Sequence, residues 1–249
     1  MSGPLLALDG VGVDRGGARV LDRVTISLAP GETLGLVGES GSGKSTLART
    51  ALGLIEPRSG SVRWRGRDLL GLTKRELRAA RREMQIVFQD PASSLDPRMT
   101  VSEAVAEPLE IHRLGPRRQR LEQVVELLRR VELGPELLGR HPHEISGGQA
   151  QRVALARALA TAPALLVADE ALSALDISLR AQMANLLLDL RASTGIACLF
   201  VTHDLRLAAY LCDRIAVLAA GTVVRIGTPK EIADDPQHPA AHALIKAAV

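Results

Sequence analysis

Aromatic side chains are nearly missing from this 249-residue chain: Phe88, Phe200, Trp64 and Tyr210 are all it has. Proteins that hold single-stranded nucleic acid stack successive bases on such rings, so the composition argues against an RNA or single-stranded DNA partner. Cysteine is equally sparse. Cys198 and Cys212 do not make a disulfide framework or a metal set, and no leader-like pattern opens the chain, so a reducing, cytosolic setting is expected. Long apolar runs are also lacking. The longest, "VALARALATAPALLVA" at 153–168, is broken by Arg157 and Pro163 and falls short of the roughly 20 residues a membrane span requires. By this reading the chain does not cross a bilayer itself.

What is present is an alternation. "ETLGLVG" (32–38) is a short apolar strand, and "KSTLARTALGLI" (44–55) has the texture of a helix. Later "ALLVADE" (164–170), "ACLFVTHD" (197–204) and "RIAVLAAG" (214–221) are Val-, Ile-, Leu- and Ala-rich runs spaced by helical segments such as "SLRAQMANLLLDLRAST" (178–194). Apolar strands separated by helices predict a parallel sheet covered on both faces. Between about 90 and 158 the pattern is helical without a convincing strand, which predicts a helical lobe inserted in the sheet domain. Charge is mild overall, at +3, but Arg and Lys crowd 58–82 and 113–120. These clusters are read as solvated faces, with an anionic membrane surface or a partner's acidic loop as the alternative.

Two stretches have the chemistry of phosphate binding. In "GESGSGKST" (38–46), Gly38, Gly41 and Gly43 let the backbone curl with its N–H groups inward, while Ser40, Ser42 and Thr46 complete the loop. Lys44 can reach terminal phosphates and Ser45 can bind Mg²⁺. This is the full G-x-x-x-x-G-K-[ST] pattern, placed between a strand and a helix as the mechanism requires. The second stretch, "SGGQ" at 146–149 (Ser146, Gly147, Gly148, Gln149), opens another helix with a hydroxyl and bare backbone N–H groups. At other strand ends stand Gln89, the carboxylates Asp169 and Glu170, and His203. Asp169 can join a Mg²⁺ shell, Glu170 can polarise a water, and His203 can hydrogen-bond a phosphate. His141 and His143, two apart around Pro142, are read as a structural turn and not as metal ligands.

Gln89 in "FQDP", "SGGQ", "DE" at 169–170, "SALD" at 173–176 and "THD" at 202–204 follow the phosphate loop in an order that resembles ATP-binding-cassette (ABC) ATPases across essentially the whole chain. The resemblance implies an α/β fold: a P-loop NTPase (RecA-like) parallel-sheet core of about 1–89 and 159–235, an N-terminal antiparallel β portion, an inserted α-helical lobe of about 90–158 and a tail of about 236–249. It implies ATP and Mg²⁺ as ligands, with Ser45, Gln89 and Asp169 around the metal. Glu170 becomes the general base, His203 the γ-phosphate contact, and Asp176 the link between two sites. It also explains the two loops, because in that family two subunits pack head to tail and the "SGGQ" of one covers the ATP held by the lysine of the other. The implied partners are a second ATPase subunit, identical or paralogous, two transmembrane permease subunits and, indirectly, an extracytoplasmic solute-binding protein. The implied location is peripheral, on the cytoplasmic face of the inner membrane.

Other ATPase classes fit less well. A DNA-repair member would place a long coiled coil between Gln89 and Ser146, a translation factor would carry two cassettes, and a small-molecule kinase has no use for "SGGQ". Two departures from the family pattern stand out. Arg15 in "VDRGG" occupies the usual place of an adenine-stacking aromatic, a role its planar guanidinium can take over. Ala171 and Leu172 replace a common Pro-Thr pair after the carboxylates. "VFQDPASSLDPRMTVSEAV" and "DDPQHPAAHALIKA" resemble importers of peptides and nickel. "WRGRDLLGL", "DEALSALD" and "ACLFVTHDLRL" resemble the second ATPase subunit of nickel importers, which makes nickel or a nickel chelate the expected solute and di- or oligopeptides the alternative.

Overall fold

A computed structural model describes residues 3–90 and 94–234, together with 238, 239 and 242. The expected tail therefore lies almost wholly outside the described residues, as do Pro91, Ala92 and Ser93 of the segment after Gln89. Two compact units are formed, one from chain segments 1–81 and 195–249, the other from 82–194.

In the first unit, β1 (Leu6–Arg15) and β2 (Ala18–Leu28) form an antiparallel hairpin that turns at Gly16-Gly17, and β1 also pairs with β4 (Ser59–Trp64). Alternating burial along β2 shows the expected one-sided strand, with Leu21, Val24, Ile26 and Leu28 turned inward. Next come β3 (Thr33–Val37) and α1 (Lys44–Ala51), then β4, the short β5 (Arg67–Asp68), and α2 (Lys74–Glu83), whose last two residues, Arg82 and Glu83, already belong to the second unit. The four-stranded antiparallel sheet has the order β2-β1-β4-β5.

Helix α2 begins with a reciprocal cap. The Glu76 N–H donates to the Thr73 hydroxyl while the Glu76 carboxylate accepts from the Thr73 N–H at 2.9 Å and its hydroxyl at 2.7 Å. Arg67 adds a third donor at 2.6 Å. The Arg67 and Thr73 hydrogen bonds hold the Glu76 carboxyl down at about 2. A carboxylate depressed in this way contributes its stabilisation above the unfolded-state pKa and loses it as pH falls toward 2. A carbon-detected NMR titration is therefore expected to find Glu76 still ionised at pH 3, and Arg67→Ala is expected to move its midpoint up toward the ordinary carboxylate range.

The second unit contains β6 (Met84–Val87), α3 (Val101–Ile111), α4 (Arg120–Arg130), α5 (Gly147–Leu159), β7 (Leu165–Asp169) and α6 (Ile177–Thr194). Strands β6 and β7 pair in parallel. From 94 to 158 the described residues form helices and turns and no strand. Helix α3 packs on α4 and α5, α4 on α5, and α5 on β6. Along α5 nearly every side chain is buried, from Ala150 to Leu159. Its one buried cation, Arg152, donates to the Val131 carbonyl at 2.9 Å and to the carboxylate of Glu132 at 2.5 Å. Burial of a guanidinium requires such partners.

The chain returns to the first unit with β8 (Ala197–Thr202), α7 (Leu205–Leu211), β9 (Arg214–Ala219), β10 (Thr222–Gly227) and α8 (Pro229–Asp234). There β3 pairs in parallel with both β8 and β9, and β10 adds on antiparallel to β9. Every residue of β3 and of β8 is buried, which is why these strands read as continuous apolar runs and not as alternation. Helix α1 packs on β8, and α7 packs on β3 and β8. No helix among the described residues is long and apolar enough to cross a membrane.

Candidate nucleotide-binding site

The loop between β3 and α1 is shaped by close approach. At Gly38 a Cβ would lie 2.2 Å from the Leu218 carbonyl oxygen. Gly43, the residue before α1, has φ 105°, and a Cβ there would meet Leu21 at 2.8 Å and the Val20 oxygen at 3.0 Å. Only glycine satisfies both demands. Backbone hydrogen bonds from Ser42 N–H to the Glu39 oxygen and from Gly221 N–H to the Ser42 oxygen close the loop. Lys44 is buried, and its ammonium donates to the carbonyls of Gly38 (2.9 Å) and Glu39 (2.8 Å). The Ser42 hydroxyl is buried without a hydrogen-bond partner. Ser40 and Gly41 are exposed, Ser45 is half-buried and Thr46 is buried. A buried ammonium, an unsatisfied hydroxyl and a helix start with no side-chain cap are the donor set that a polyphosphate fits.

His203 comes to the same end of the first unit. Val37 and Thr202 are partners in the β3–β8 register, so the loop leaves β3 beside the point where exposed His203 follows β8. Asp204 then caps α7, accepting from the Leu207 N–H at 3.1 Å. Arg15 stands exposed at the last pair of the β1–β2 hairpin, opposite Ala18.

In the second unit the β6–β7 register pairs Val87 with Ala168. Buried Asp169 and half-buried Glu170 thus leave the sheet at the end from which Gln89 leaves β6. Strand β6 stops at Val87, two residues short of the expected Gln89. The physical reason is in the sequence: Pro91 follows closely, carries no N–H for a ladder and restrains the residue before it. Glu170 has φ 51°, unusual for a residue with a Cβ.

The start of α5 brings the second loop together. Ser146 and Gln149 cap each other: the Ser146 hydroxyl accepts from the Gln149 N–H at 3.2 Å, and the Gln149 amide oxygen accepts from the Ser146 N–H at 2.9 Å. An accepting hydroxyl keeps its own proton for an outside acceptor. Ser146 and Gly147 are exposed, whereas Gly148 is buried, and a Cβ there would lie 3.2 Å from Leu179. Leu179 belongs to the first turn of α6, which Asp176 caps by accepting from its N–H at 2.9 Å. "SGGQ" and "SALD", 27 residues apart by their first serines, are therefore neighbours. Just ahead of this loop, Pro142–Glu144 forms a single 3-10 turn, with the His141 and His143 rings stacked at 5.6 Å. The His141 N–H donates to the Glu144 carboxylate at 2.7 Å and holds its pKa below the usual range.

Sequence reasoning missed the capping duties of Gln149, Asp176 and Asp204. The S-x-x-Q spacing of Ser146 and Gln149 was a signal for the first of them.

A buried-lysine phosphate loop joining a parallel strand to a helix defines a P-loop nucleotide-binding protein. The ABC transporter family model matches residues 21–173, and the chain belongs to that family. A putative peptide import ATP-binding protein of Brucella ovis is 47% identical over 92% of this chain and 72% of its own length. The glutathione import ATP-binding protein GsiA of Escherichia coli O157:H7 is 47% identical over 91% of this chain and 36% of its own. Among solved structures, the ATP-binding cassette MJ0796, a dimer in a post-hydrolysis state with ADP and phosphate, superposes with a TM-score of 0.81 at 32% identity, covering 90% of this chain and 98% of that one. The fold is that of the ABC ATPases, and the chain is an ATPase coupled to transmembrane transport.

Proposed function

We propose that this chain is the ATP-hydrolysing subunit of a membrane importer of di- or oligopeptides, held on the cytoplasmic face of the membrane by two permease subunits. The observation that carries the solute class is the 47% identity, over 92% of the chain, to a protein named for peptide import. Relatives named for peptide and glutathione import favour this reading over the nickel or nickel-chelate import suggested by the local resemblances of "WRGRDLLGL" and "ACLFVTHDLRL".

In this reading the core of about 1–89 and 159–235 binds nucleotide, the lobe of about 90–158 presents the second loop, and 236–249 is a tail. Gly38 to Thr46 wrap the phosphates of ATP, with Lys44 on the terminal ones and Arg15 against the adenine. Ser45, Gln89 and Asp169 hold Mg²⁺, which neutralises charge on the phosphates. Glu170 takes the proton of the attacking water, and His203 hydrogen-bonds the γ-phosphate. Ser146, Gly147, Gly148 and Gln149 offer donors to the nucleotide of a second ATPase subunit, identical or paralogous, with Asp176 linking the two sites. Donors on several sides of a developing charge do more than one loop can. A solute-binding protein outside the membrane delivers the cargo.

The test is reconstitution of the chain with its permease subunits, partner ATPase and binding protein in vesicles. Di- or oligopeptides are expected to stimulate ATP hydrolysis severalfold and to accumulate inside. Stimulation by Ni²⁺ or a nickel chelate, with none by peptides, would return the assignment to nickel.

A further inference from the structure

We propose that Arg180, on the first turns of α6, is a positioning residue for hydrolysis: it locks the turn 170–176 so that the Glu170 carboxylate is held in one direction. The proposal rests on the assignment of Glu170 as general base.

Three observations carry it. The backbone of Glu170 is left-handed, with φ 51°, a conformation that persists in a residue with a Cβ only when its surroundings enforce it. Relaxation to negative φ would swing the carboxylate away from its present direction. Next, the Glu170 carbonyl is gripped twice by Ser173, by its N–H at 3.0 Å and by its hydroxyl at 2.7 Å. Finally, Ser173 is itself held from α6. One guanidinium nitrogen of Arg180 donates to the Ser173 carbonyl at 3.4 Å and to the Leu175 carbonyl at 3.1 Å, while the Arg180 N–H donates to the Asp176 carbonyl at 2.9 Å.

Ala171 carries no ring to fix its own backbone or that of Glu170. Ala171 and Leu172 are anchored by burial, but that fixes where the turn sits and not how the Glu170 peptide is rotated. Arg180 is half-buried, where its two carbonyl bonds compete less with water than they would at full exposure. Its guanidinium reaches two carbonyls of one loop, those of Ser173 and Leu175, from a rigid helix. A base held this way keeps its orientation without touching the nucleotide.

The test uses steady-state ATP hydrolysis by Arg180→Ala, Arg180→Lys and Ser173→Ala, each beside Glu170→Gln and the double variant Glu170→Gln/Arg180→Ala, in the assembled transporter. Misplacement of a catalytic group by about 1 Å costs up to about a hundredfold. Arg180→Ala is therefore expected to lower kcat about tenfold or more, with KM for ATP and melting temperature within error of the parent. Arg180→Lys is expected to recover part of the rate, since its ammonium can serve one of the two carbonyls. Ser173→Ala is expected to lower kcat in the same manner, and it carries the test if Arg180→Ala does not fold. In single-turnover hydrolysis the double variant is expected to be no slower than Glu170→Gln. An unchanged kcat in Arg180→Ala, a fall in kcat that tracks a lowered melting temperature or raised KM, or a further loss in the double variant overturns the proposal. Near-parental turnover in Glu170→Gln instead removes the underlying assignment of the base, and Arg180→Ala, measured separately, shows which of the two has failed.

Discussion

Glu170→Gln is expected to lower ATP turnover about a thousandfold while leaving ATP binding intact, and to trap an ATP-bound dimer. General-base assistance contributes typically ~10²–10⁴-fold, and the amide keeps the shape of the side chain while losing the capacity to accept a proton at neutral pH. The phosphate loop is unchanged, because Gly38, Ser42, Gly43 and Lys44 are arranged by their own backbone hydrogen bonds and by Leu218, Val20 and Leu21. Binding should therefore persist where chemistry stops. Equilibrium ATP binding and size-exclusion chromatography with and without ATP and Mg²⁺ measure both parts. A variant that turns over at the parental rate would show that another group takes the proton.

The second large effect concerns the division of labour between the two loops. Lys44→Ala removes the buried ammonium proposed to bind the phosphates, and Ser146→Arg fills the exposed start of α5 with a bulky side chain. Each variant alone is expected to lose at least a hundredfold in hydrolysis, since one lacks the grip on ATP and the other blocks the covering loop. Ser146→Arg is nevertheless expected to bind ATP as tightly as the parent in its monomeric form. Mixing the two variants is the decisive step. One pairing then joins the intact phosphate loop of Ser146→Arg to the intact "SGGQ" of Lys44→Ala, and in an equal mixture activity should return toward a quarter of the parental level, half per mixed dimer, wherever the chain pairs with itself. If the partner is a paralogous ATPase, the same recovery is expected only when the complementary change is placed in that chain. A self-associating mixture that stays inactive would mean that each loop serves the nucleotide of its own chain.

The charge clusters teach a narrower lesson. Arg67, within the basic stretch 58–82, is spent on Glu76, and Arg58 is paired with Asp14. Arg120, in the second cluster, donates to Glu110 at 2.9 Å. These partners lie 9, 44 and 10 residues away in the chain. A count of like charges along a segment does not reveal such pairs, because the opposite charge arrives from another element.

Much of the candidate nucleotide site was legible in the sequence, since the features proposed to bind phosphate are local. The roles proposed for Gly38, Gly41, Gly43, Lys44 and Ser45 depend on spacing and backbone freedom within nine residues, between a strand and a helix that are themselves marked by apolar runs. The strand ends carrying Asp169, Glu170 and His203 were legible for the same reason: a fully buried parallel strand reads as an unbroken apolar run, and the first polar residue after it marks where it emerges. Tertiary structure alone decided the rest. It set the register that brings His203 beside the phosphate loop, the left-handed turn at Glu170 and its tie to Arg180, and the approach of Gly148 to Leu179. Each of these joins residues distant in sequence through hydrogen bonds or close packing. The spacing of residues along one segment has no period that encodes a partner on another.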